Sequence, residues 1–183
     1  MDNGACSYRR FLNGDESAFD ELVKEYFHSL IFFADRYVQD IHTAEDIAID
    51  VLTDLVVHRH RYNFKVTLKT YLFMLCRSRA LDYIKHRKII RFDDLSSADG
   101  VSDESQNLEQ IVLSDERSRI VNKAVSRLPA DMQTAVHLVY FSGLSYDETA
   151  RIMRKKRKQV DNLLYRAKKE LRTILGEDGE QLL

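Results

Sequence analysis

The apolar positions in the first half of the chain recur every three or four residues, which is the spacing of one face of an α-helix. A first stripe consists of Phe19, Leu22, Val23, Tyr26, Phe27, Leu30, Ile31, Ala34, Tyr37 and Val38. We interpret this stripe as the buried face of two helices in series.

Two further helices are predicted before residue 91. Thr43 to Asp46 read TAED, a capping box with Asp in place of the usual Glu or Gln, and they predict the start of a helix. A third helix is expected from about Thr67. Its inward positions are Leu68, Tyr71, Leu72, Leu75, Ala80 and Ile84. Three antiparallel helices with short connections predict a small bundle.

A second group of helices is predicted after residue 107. Its first apolar stripe is Leu108, Ile111, Val112, Val121, Ala124, Val125 and Leu128. Pro129 suits the first turn of the next helix, where its missing N–H costs little, and Gly143 can supply the left-handed residue that ends that helix. Ser145 and Glu148 form a complete capping box for a short helix, which a basic turn connects to a long last helix.

The composition favours an all-α fold. The 183 residues include one proline and six glycines, the two residue types that helix interiors tolerate worst. No Asn-Gly or Asp-Gly pair lies between alternating apolar runs, as a β-hairpin would require. The hydrophobic content of 44% excludes a wholly disordered chain.

The sequence contains no pattern typical of catalysis, metal binding or membrane insertion. Cys6 and Cys76 are far apart and have no zinc-ligand spacing, and Cys76 is expected in the core. The histidines form no ligand pattern beyond the weak pair His58 and His60, and we expect them at the surface. We therefore expect no enzymatic activity and no cofactor. No apolar run approaches the roughly 20 residues of a membrane span, so a cytoplasmic location is expected.

Two segments of opposite charge underlie the net charge of −1. Residues 151–172 contain ten Lys and Arg but only two acidic residues, a concentration that suits binding to a phosphate backbone. Residues 93–116 contain eight acidic residues and no Lys or Arg. We interpret the core of this acidic stretch as a flexible linker. It is either a solvated loop or an extended segment that mimics nucleic acid in a basic channel.

Two helices joined by a short turn, the second helix basic, are typical of a helix-turn-helix. The exposed positions near the start of the second helix are expected to face the DNA major groove, and Gln or Asn side chains there can pair with adenine. A basic amphipathic helix is also compatible with a membrane surface or a protein partner.

The third predicted helix also carries candidate nucleic-acid ligands. Aromatic side chains such as Tyr71 and Phe73 can stack unpaired bases while Arg and Lys hold the strand, although both aromatics are equally compatible with the core. The second helix carries an acidic ridge that is either solvated or docked on a basic protein surface. This ridge consists of Glu45, Asp46, Asp50 and Asp54.

Together these segments resemble the extracytoplasmic-function class of bacterial sigma factors. The segments GDESAFDELVKEYFHSL, AEDIAIDVLTDL and TLKTYLFMLCRSRALDYIKHRK resemble the N-terminal domain of that family, region 2. The segments LPADMQTAVHLVYFSGLSYDETARIM and QVDNLLYRAKKEL resemble its C-terminal domain, region 4. The resemblance implies a region 2 domain at residues 1–91, an acidic linker at 92–107 and a region 4 helix-turn-helix domain at 108–183.

The resemblance implies an alternative sigma factor that binds core RNA polymerase, directs it to promoter DNA and helps to melt the −10 element. The positions that match the polymerase-binding helix are Glu45, Asp46 and Asp50. Those that match the −10-reading segment are Phe64, Lys65, Thr67, Thr70, Arg77, Ser78, Arg79, Asp82 and Lys85. Those that match the −35-reading helix are Lys155, Lys156, Arg157, Lys158, Gln159, Asp161, Asn162 and Arg166. An anti-sigma factor is a further partner that the resemblance permits.

Two positions depart from the family pattern. Ser78 stands where many members have Asn, and Arg154, Lys155 and Lys156 replace a Gly-Ile-Ser turn. Without that glycine, the turn is expected to avoid left-handed geometry. Two other classes of function fit the residues taken alone: an operator-binding regulator that recognises a duplex as a dimer, and a helical module that binds another protein.

Overall fold

The computed structural model describes residues 3–93 and 116–176, whose regular elements are all helical. The all-α prediction is confirmed for these residues. The chain divides into two compact units, Met1–Asp103 and Glu104–Leu183. The predicted linker lies outside the described residues, apart from Phe92 and Asp93.

Residues 3–93 form a bundle in which α2 is the central helix. The helices are α1 (Asn3–Leu12), α2 (Ser17–Val38), α3 (Ile41–Val57) and α4 (Leu68–Asp93). Helix α2 packs against the other three. The largest buried side chains are Tyr8, Leu22, Leu30, Phe33, Leu55, Leu68, Leu72 and Phe73. The prediction of three helices was wrong because α1 was missed, and the stripe assigned to two helices in series belongs to one 22-residue helix.

Tyr8 connects α1 to the far end of α3. Its single O–H is shared between the carbonyl oxygens of Leu55, at 2.9 Å, and Arg59, at 3.0 Å. The side chain is fully buried, and this burial raises the pKa of Tyr8 to about 12. A buried hydroxyl needs such partners, since leaving it unpaired costs several times the net gain of one hydrogen bond. Helix α1 is therefore fixed at the point where the chain leaves α3.

Helix α3 begins earlier than its predicted capping box. Asp40 is the N-cap: its carboxylate accepts a hydrogen bond from the Thr43 N–H at 3.1 Å and another from the Thr43 hydroxyl. These hydrogen bonds from Thr43 lower the pKa of Asp40. The prediction that TAED opens the helix was wrong because Asp40 provides the cap three residues earlier. Gln39, left-handed with φ 53°, ends α2 directly before it.

Helix α4 begins where the sequence predicted. Its first turn is capped by the Thr67 hydroxyl, which accepts a hydrogen bond from the Thr70 N–H at 3.2 Å. Phe73 and Cys76 are fully buried in the bundle, and the Phe73 ring lies 5.0 Å from that of Phe33. The core position of Cys76 is confirmed. Phe73 also belongs to the core, so its ring is not exposed for stacking on an unpaired base.

Residues 116–176 form the second helical unit. Its elements are α5 (Glu116–Ser126), α6 (Ala130–Val136), a π-helical segment (His137–Phe141), α7 (Tyr146–Met153) and α8 (Arg157–Leu175). Helix α8 packs against α5, α6 and α7. The core is formed by Val125, Leu128, Met132, Ala135, Leu138, Leu144, Ile152, Met153, Val160, Leu164 and Ala167.

The predicted starts of α6, α7 and α8 are confirmed within a residue or two. The first stripe positions, Leu108, Ile111 and Val112, lie outside the described residues. Pro129 directly precedes α6, and Gly143 is left-handed at φ 65°. The capping box is complete, with Glu148 N–H donating to the Ser145 hydroxyl and the Glu148 carboxylate accepting from Ser145 N–H at 2.9 Å. His137 is buried and its ring stacks on Phe141, so the expectation that all the histidines lie at the surface was wrong.

None of the helices in the described ranges combines the length and the apolar character that crossing a membrane requires.

Replacing Tyr8 by Phe tests the connection between α1 and α3. We expect the free energy of unfolding to fall by about 1–2 kcal/mol, because two buried carbonyls lose their donor. A loss of this size lowers the melting temperature of a domain of this size by roughly 4–8 °C per kcal/mol. Thermal denaturation followed by circular dichroism measures it. The control is Tyr165→Phe, whose side chain is 73% exposed. Equal melting temperatures for the two variants would contradict the account.

The two thiols should differ in reactivity. Cys6 is exposed, whereas burial raises the pKa of Cys76 from 9.0 to about 12. At about pH 8 we expect a chromogenic disulfide reagent to modify Cys6 rapidly in the native protein and Cys76 only after denaturation, since the thiolate is the reactive form. The neutral Cys76 stabilises the fold below about pH 9, and this contribution is lost as the pH rises toward 12. Equal native rates at both cysteines would exclude a buried Cys76.

Candidate nucleic-acid interface

The loop between α3 and α4 presents Phe64 in an unusual conformation. Its φ of 60° lies in the left-handed region, which a bulky residue seldom occupies. The Phe64 ring lies 4.6 Å from that of Tyr62 and 6.2 Å from that of Tyr8, and the Arg9 guanidinium lies 4.8 Å from its centre. Tyr62 is itself buried and donates to the Val66 carbonyl at 2.7 Å. The loop is thus held by aromatic packing while part of Phe64 stays accessible.

The Arg9 guanidinium lies over the Phe64 ring, and three further cationic residues belong to the same loop. Arg9, Arg59, Arg61 and Lys65 are all exposed, and the Arg59 guanidinium lies 5.0 Å from the centre of the Phe11 ring. Of these four residues, only Lys65 was predicted from the sequence to contact DNA. The basic run HRHR at residues 58–61 was a visible signal for two of the others, whereas the position of Arg9 depends on the packing of α1.

Helix α4 brings together most of the predicted −10 residues. Asp82 and Lys85 are exposed, while Thr67, Arg77, Ser78 and Arg79 are half-buried. Thr70 is fully buried, and its hydroxyl is 2.8 Å from that of Thr67. Thr70 therefore stabilises the start of α4 and is not on the surface that a DNA strand can contact.

The acidic ridge of α3 is shorter than its spacing suggested. Asp46 and Asp50 are exposed and Glu45 is half-buried, in agreement with a solvent-facing ridge. Asp54 is only 4% exposed and forms ion pairs with His58, Arg61 and Arg79. Placing Asp54 on the ridge was wrong, because the helix turns this position toward α4 and the loop. Arg79 also reaches Asp50, at 3.3 Å.

The second unit contains the predicted helix-turn-helix. Helices α7 and α8 are joined by Arg154, Lys155 and Lys156, and Val160 and Leu164 anchor α8 in the core. The exposed predicted residues of the recognition helix are Arg157, Lys158, Gln159, Asp161, Asn162 and Arg166. Tyr165, 73% exposed beside Arg166, was not identified from the sequence.

The turn of this motif contains a left-handed residue that is not glycine. Arg154 has φ 54° and ψ 42°, so the expectation that the turn avoids this geometry was wrong. The conformation costs roughly 1–2 kcal/mol for a residue with a Cβ. Two hydrogen bonds compensate, from the N–H of Lys155 to the Ala150 carbonyl at 2.9 Å and from the N–H of Arg154 to the Arg151 carbonyl at 3.2 Å.

Several recognition residues already have partners within this unit. Lys155 pairs with Asp131 at 3.0 Å, and Arg157 pairs with Asp147 at 3.2 Å. The Gln159 side-chain oxygen accepts the Lys156 N–H at 2.7 Å and so caps α8. Gln159 is thereby oriented by its own helix, whereas Lys158, Asn162 and Arg166 are exposed along the same helix.

No group of His, Cys, Asp and Glu side chains in the described parts of the chain has the arrangement of a metal site. The histidine pair suggested by the sequence, His58 and His60, is exposed, and His58 faces Asp54 at 3.2 Å.

Comparison with known families separates the same two units. The sigma-70 region 2 family model matches residues 22–89, and the sigma-70 region 4 family model matches residues 118–171. The first match contains α3, the Phe64 loop and most of α4. The second contains the whole helix-turn-helix. Helix α1 lies outside both matches.

Individual relatives match across both units. The RNA polymerase sigma-H factor of Pseudomonas aeruginosa is 28% identical and covers 92% of this chain and 93% of its own. The extracytoplasmic-function RNA polymerase sigma-E factor of Escherichia coli K12 is 28% identical and covers 79% of each chain.

Solved structures share the fold. The sigma factor RpoE of Bartonella quintana, solved with the anti-sigma factor NepR, has a TM-score of 0.65 at 22% identity and covers 87% of this chain and 98% of its own. CnrH, solved with the cytosolic domain of CnrY, has a TM-score of 0.62 at 16% identity and covers 94% of each chain.

Two sigma-70 family matches in the expected order, relatives that span both, and the helix-turn-helix and loop geometry lead to one conclusion. The chain belongs to the sigma-70 family as an extracytoplasmic-function sigma factor with region 2 and region 4 domains, a non-enzymatic protein that directs promoter-specific transcription initiation by RNA polymerase.

Proposed function

We propose that three surfaces of the chain divide the work of initiation. The ridge of α3, formed by Glu45, Asp46 and Asp50, docks on core RNA polymerase. The Phe64 loop and the neighbouring face of α4 hold the −10 strand. The exposed start of α8 reads the −35 element. The observation that carries this proposal is the partly accessible Phe64 ring, whose residue is left-handed and which lies under the Arg9 guanidinium.

The Phe64 loop is suited to an unpaired strand. A base that stacks on an aromatic ring gains about 1–3 kcal/mol whatever its identity, and neighbouring Arg and Lys side chains bind the phosphates. Opening the duplex costs a few kcal/mol per base, so capture of the opened strand can make melting a binding effect without a chemical step. The residues on α4 that join this site are Arg77, Ser78, Arg79, Asp82 and Lys85. Lys65 and Thr67 belong to it from the loop, and Thr70 supports it from the core.

The docking ridge is suited to a basic protein surface. Asp46 and Asp50 are one helical turn apart on a helix whose opposite face is buried, so their charges have a fixed spacing. Charge complementarity of this kind contributes mainly to specificity and to the rate of association.

The start of α8 is suited to duplex DNA. Lys155, Lys156, Arg157, Lys158 and Arg166 would contact phosphates, which position the helix. Asn162 and Asp161 would contact base edges, which carry the sequence information. Gln159 contributes first as the cap of α8 and offers its amide N–H groups to the groove.

The acidic segment would couple the two DNA-reading units. We place the region 2 domain at residues 1–91, the linker at 92–107 and the region 4 domain at 108–183, with the linker following the RNA exit path of the polymerase. Binding to core polymerase would fix the spacing of the two sites and raise the effective concentration of the second contact. The free chain should therefore bind promoter DNA weakly. Because the similar sigma factor RpoE was solved with the anti-sigma factor NepR, an anti-sigma factor is a proposed partner here. The cytoplasm is the proposed location.

Reversing one charge on the ridge tests the docking surface. Asp46→Lys should weaken binding to core RNA polymerase by tenfold or more, because opposite charges at an interface become like charges. Affinity is measured by fluorescence anisotropy with labelled core polymerase. Asp20→Lys, an exposed acidic residue of α2, is the matched control. Equal affinities for both variants would place the docking surface elsewhere.

Two sets of substitutions distinguish phosphate contacts from base-edge contacts at the proposed −35 site. Arg157→Ala with Lys158→Ala should lower affinity for every sequence and reduce the salt slope by about 2, since each phosphate contact contributes about 0.9. Asn162→Ala should leave the salt slope unchanged and relax selectivity at one base pair by about 1–3 kcal/mol. Both are measured on the holoenzyme with a selected −35 duplex over a salt series. A double-alanine variant with an unchanged slope would remove α8 from the DNA interface.

A further inference from the structure

Asp54 is a buried carboxylate that faces several cationic groups. Its Oδ1 accepts hydrogen bonds from Arg61 Nη1 at 2.9 Å and from Arg79 Nη2 at 3.2 Å, and His58 Nδ1 lies 3.2 Å away. A carboxylate is rarely this buried unless it is paired, since the charged form loses its hydration. Asp54 therefore joins three segments: the end of α3, the loop that follows it, and the middle of α4.

The two arginines keep part of their binding capacity. The side chains of Arg61 and Arg79 are 54% and 35% exposed, in contrast with 3% for Asp54. A guanidinium carries five N–H donors in a planar fork, and Asp54 uses only part of each fork. Arg61 donates to Asp54 from Nη1. Arg79 donates from Nη2 to Asp54 and from Nη1 to Asp50.

This cluster lies next to the aromatic residues of the Phe64 loop. Burial raises the pKa of Tyr71, and the neighbouring charge of Asp54 raises it further. The Tyr71 ring is 5.1 Å from that of Tyr62, which is 4.6 Å from that of Phe64. The carboxylate thus lies on the inner side of the loop whose outer side presents Phe64.

We propose that Asp54 is a positioning residue for −10 recognition. It fixes the guanidinium groups of Arg61 and Arg79 so that both contact base edges of the single strand that has another base stacked on Phe64. The inference rests on the proposed −10 site, and it adds Arg61 to that site. A guanidinium whose N–H groups on one side are bound by a carboxylate presents its other N–H groups in one orientation. An arginine without such a partner samples many orientations.

The sign of the charge makes this inference specific. A negative charge close to a DNA strand weakens sequence-independent attraction to phosphates. Removing it without other consequences should therefore increase DNA affinity for every sequence. If Asp54 acts by orienting the arginines, its removal should instead lower the preference for the selected −10 strand over a scrambled one.

The experiment uses holoenzyme reconstituted with core RNA polymerase. A −10 single strand is first selected from a random library by the wild-type holoenzyme, and its affinity is compared with that of a scrambled strand. For Asp54→Asn we expect the affinity ratio to fall about tenfold, the size of one well-oriented contact. Affinity for core polymerase should stay within about twofold, because the exposed ridge is unchanged. Asp15→Asn, which loses an exposed carboxylate paired with Arg10, is the control and should keep the ratio.

A double-mutant cycle identifies the route of the effect. Arg61→Gln and Arg79→Gln should each lower the ratio, and adding Asp54→Asn to the variant with both substitutions should cause no further loss. A further loss of the same size, an unchanged ratio for Asp54→Asn alone, or a loss of core-polymerase binding would each overturn the inference. If the arginine variants themselves keep the ratio, the inference fails together with the assignment of these residues to the −10 site.

A second variant applies if Asp54→Asn fails to fold, as shown by its melting curve. Arg79→Lys keeps the positive charge but cannot span Asp50 and Asp54 with one planar fork. We expect the same fall of about tenfold in the ratio. An unchanged ratio for this variant would overturn the inference.

Discussion

The hydroxyl of Tyr8 makes the contact on which the proposed −10 surface depends. By bonding to the carbonyls of Leu55 and Arg59, it fixes α1 against the point where α3 ends. The loop that begins there lies on the Tyr8 ring, and Phe64 packs on that ring and on Tyr62. Ordering each backbone residue of a loop costs about 1–2 kcal/mol. Tyr8 shares this task with the Tyr62 hydrogen bond to Val66 and the Arg61 ion pair with Asp54. Because α1 packs against the loop, the loop backbone is already ordered before DNA binds.

The two helical units, each proposed to read one promoter element, share a local structural feature. In each, a residue other than glycine adopts left-handed geometry just before the helix that contributes to the DNA site: Phe64 before α4 and Arg154 before α8. Such conformations persist only where the surroundings over-determine them. Aromatic packing does so around Phe64, and helix-end hydrogen bonds do so around Arg154. In both units the strained residue sets the direction in which the next helix leaves the turn.

Much of this architecture was predictable from local sequence rules. The capping box at Ser145, the start of α4 near Thr67 and the burial of Cys76 follow from nearby residues, and the structure agrees. The failures depend on distant contacts. Helix α1 is short and its Tyr8 bonds to a residue 47 positions away, which no local periodicity reveals. Asp54 fits an acidic ridge by spacing, yet its burial requires Arg61 and Arg79 from other segments. The family resemblance supplied the site residues, and packing alone distinguishes accessible Phe64 from buried Thr70.

The central claim is that two separate sites read two promoter elements once core RNA polymerase has bound. The most direct test is run-off transcription from a randomised promoter library, with core polymerase and the wild-type, Phe64→Ala or Asn162→Ala chain. We predict start sites that require the chain, with preferences upstream near both −10 and −35. Phe64→Ala should lower transcription from all these start sites and keep the −35 preference, because stacking does not depend on base identity. Asn162→Ala should relax the −35 preference alone. Transcripts that do not depend on the chain, or variants that alter both elements equally, would contradict the account.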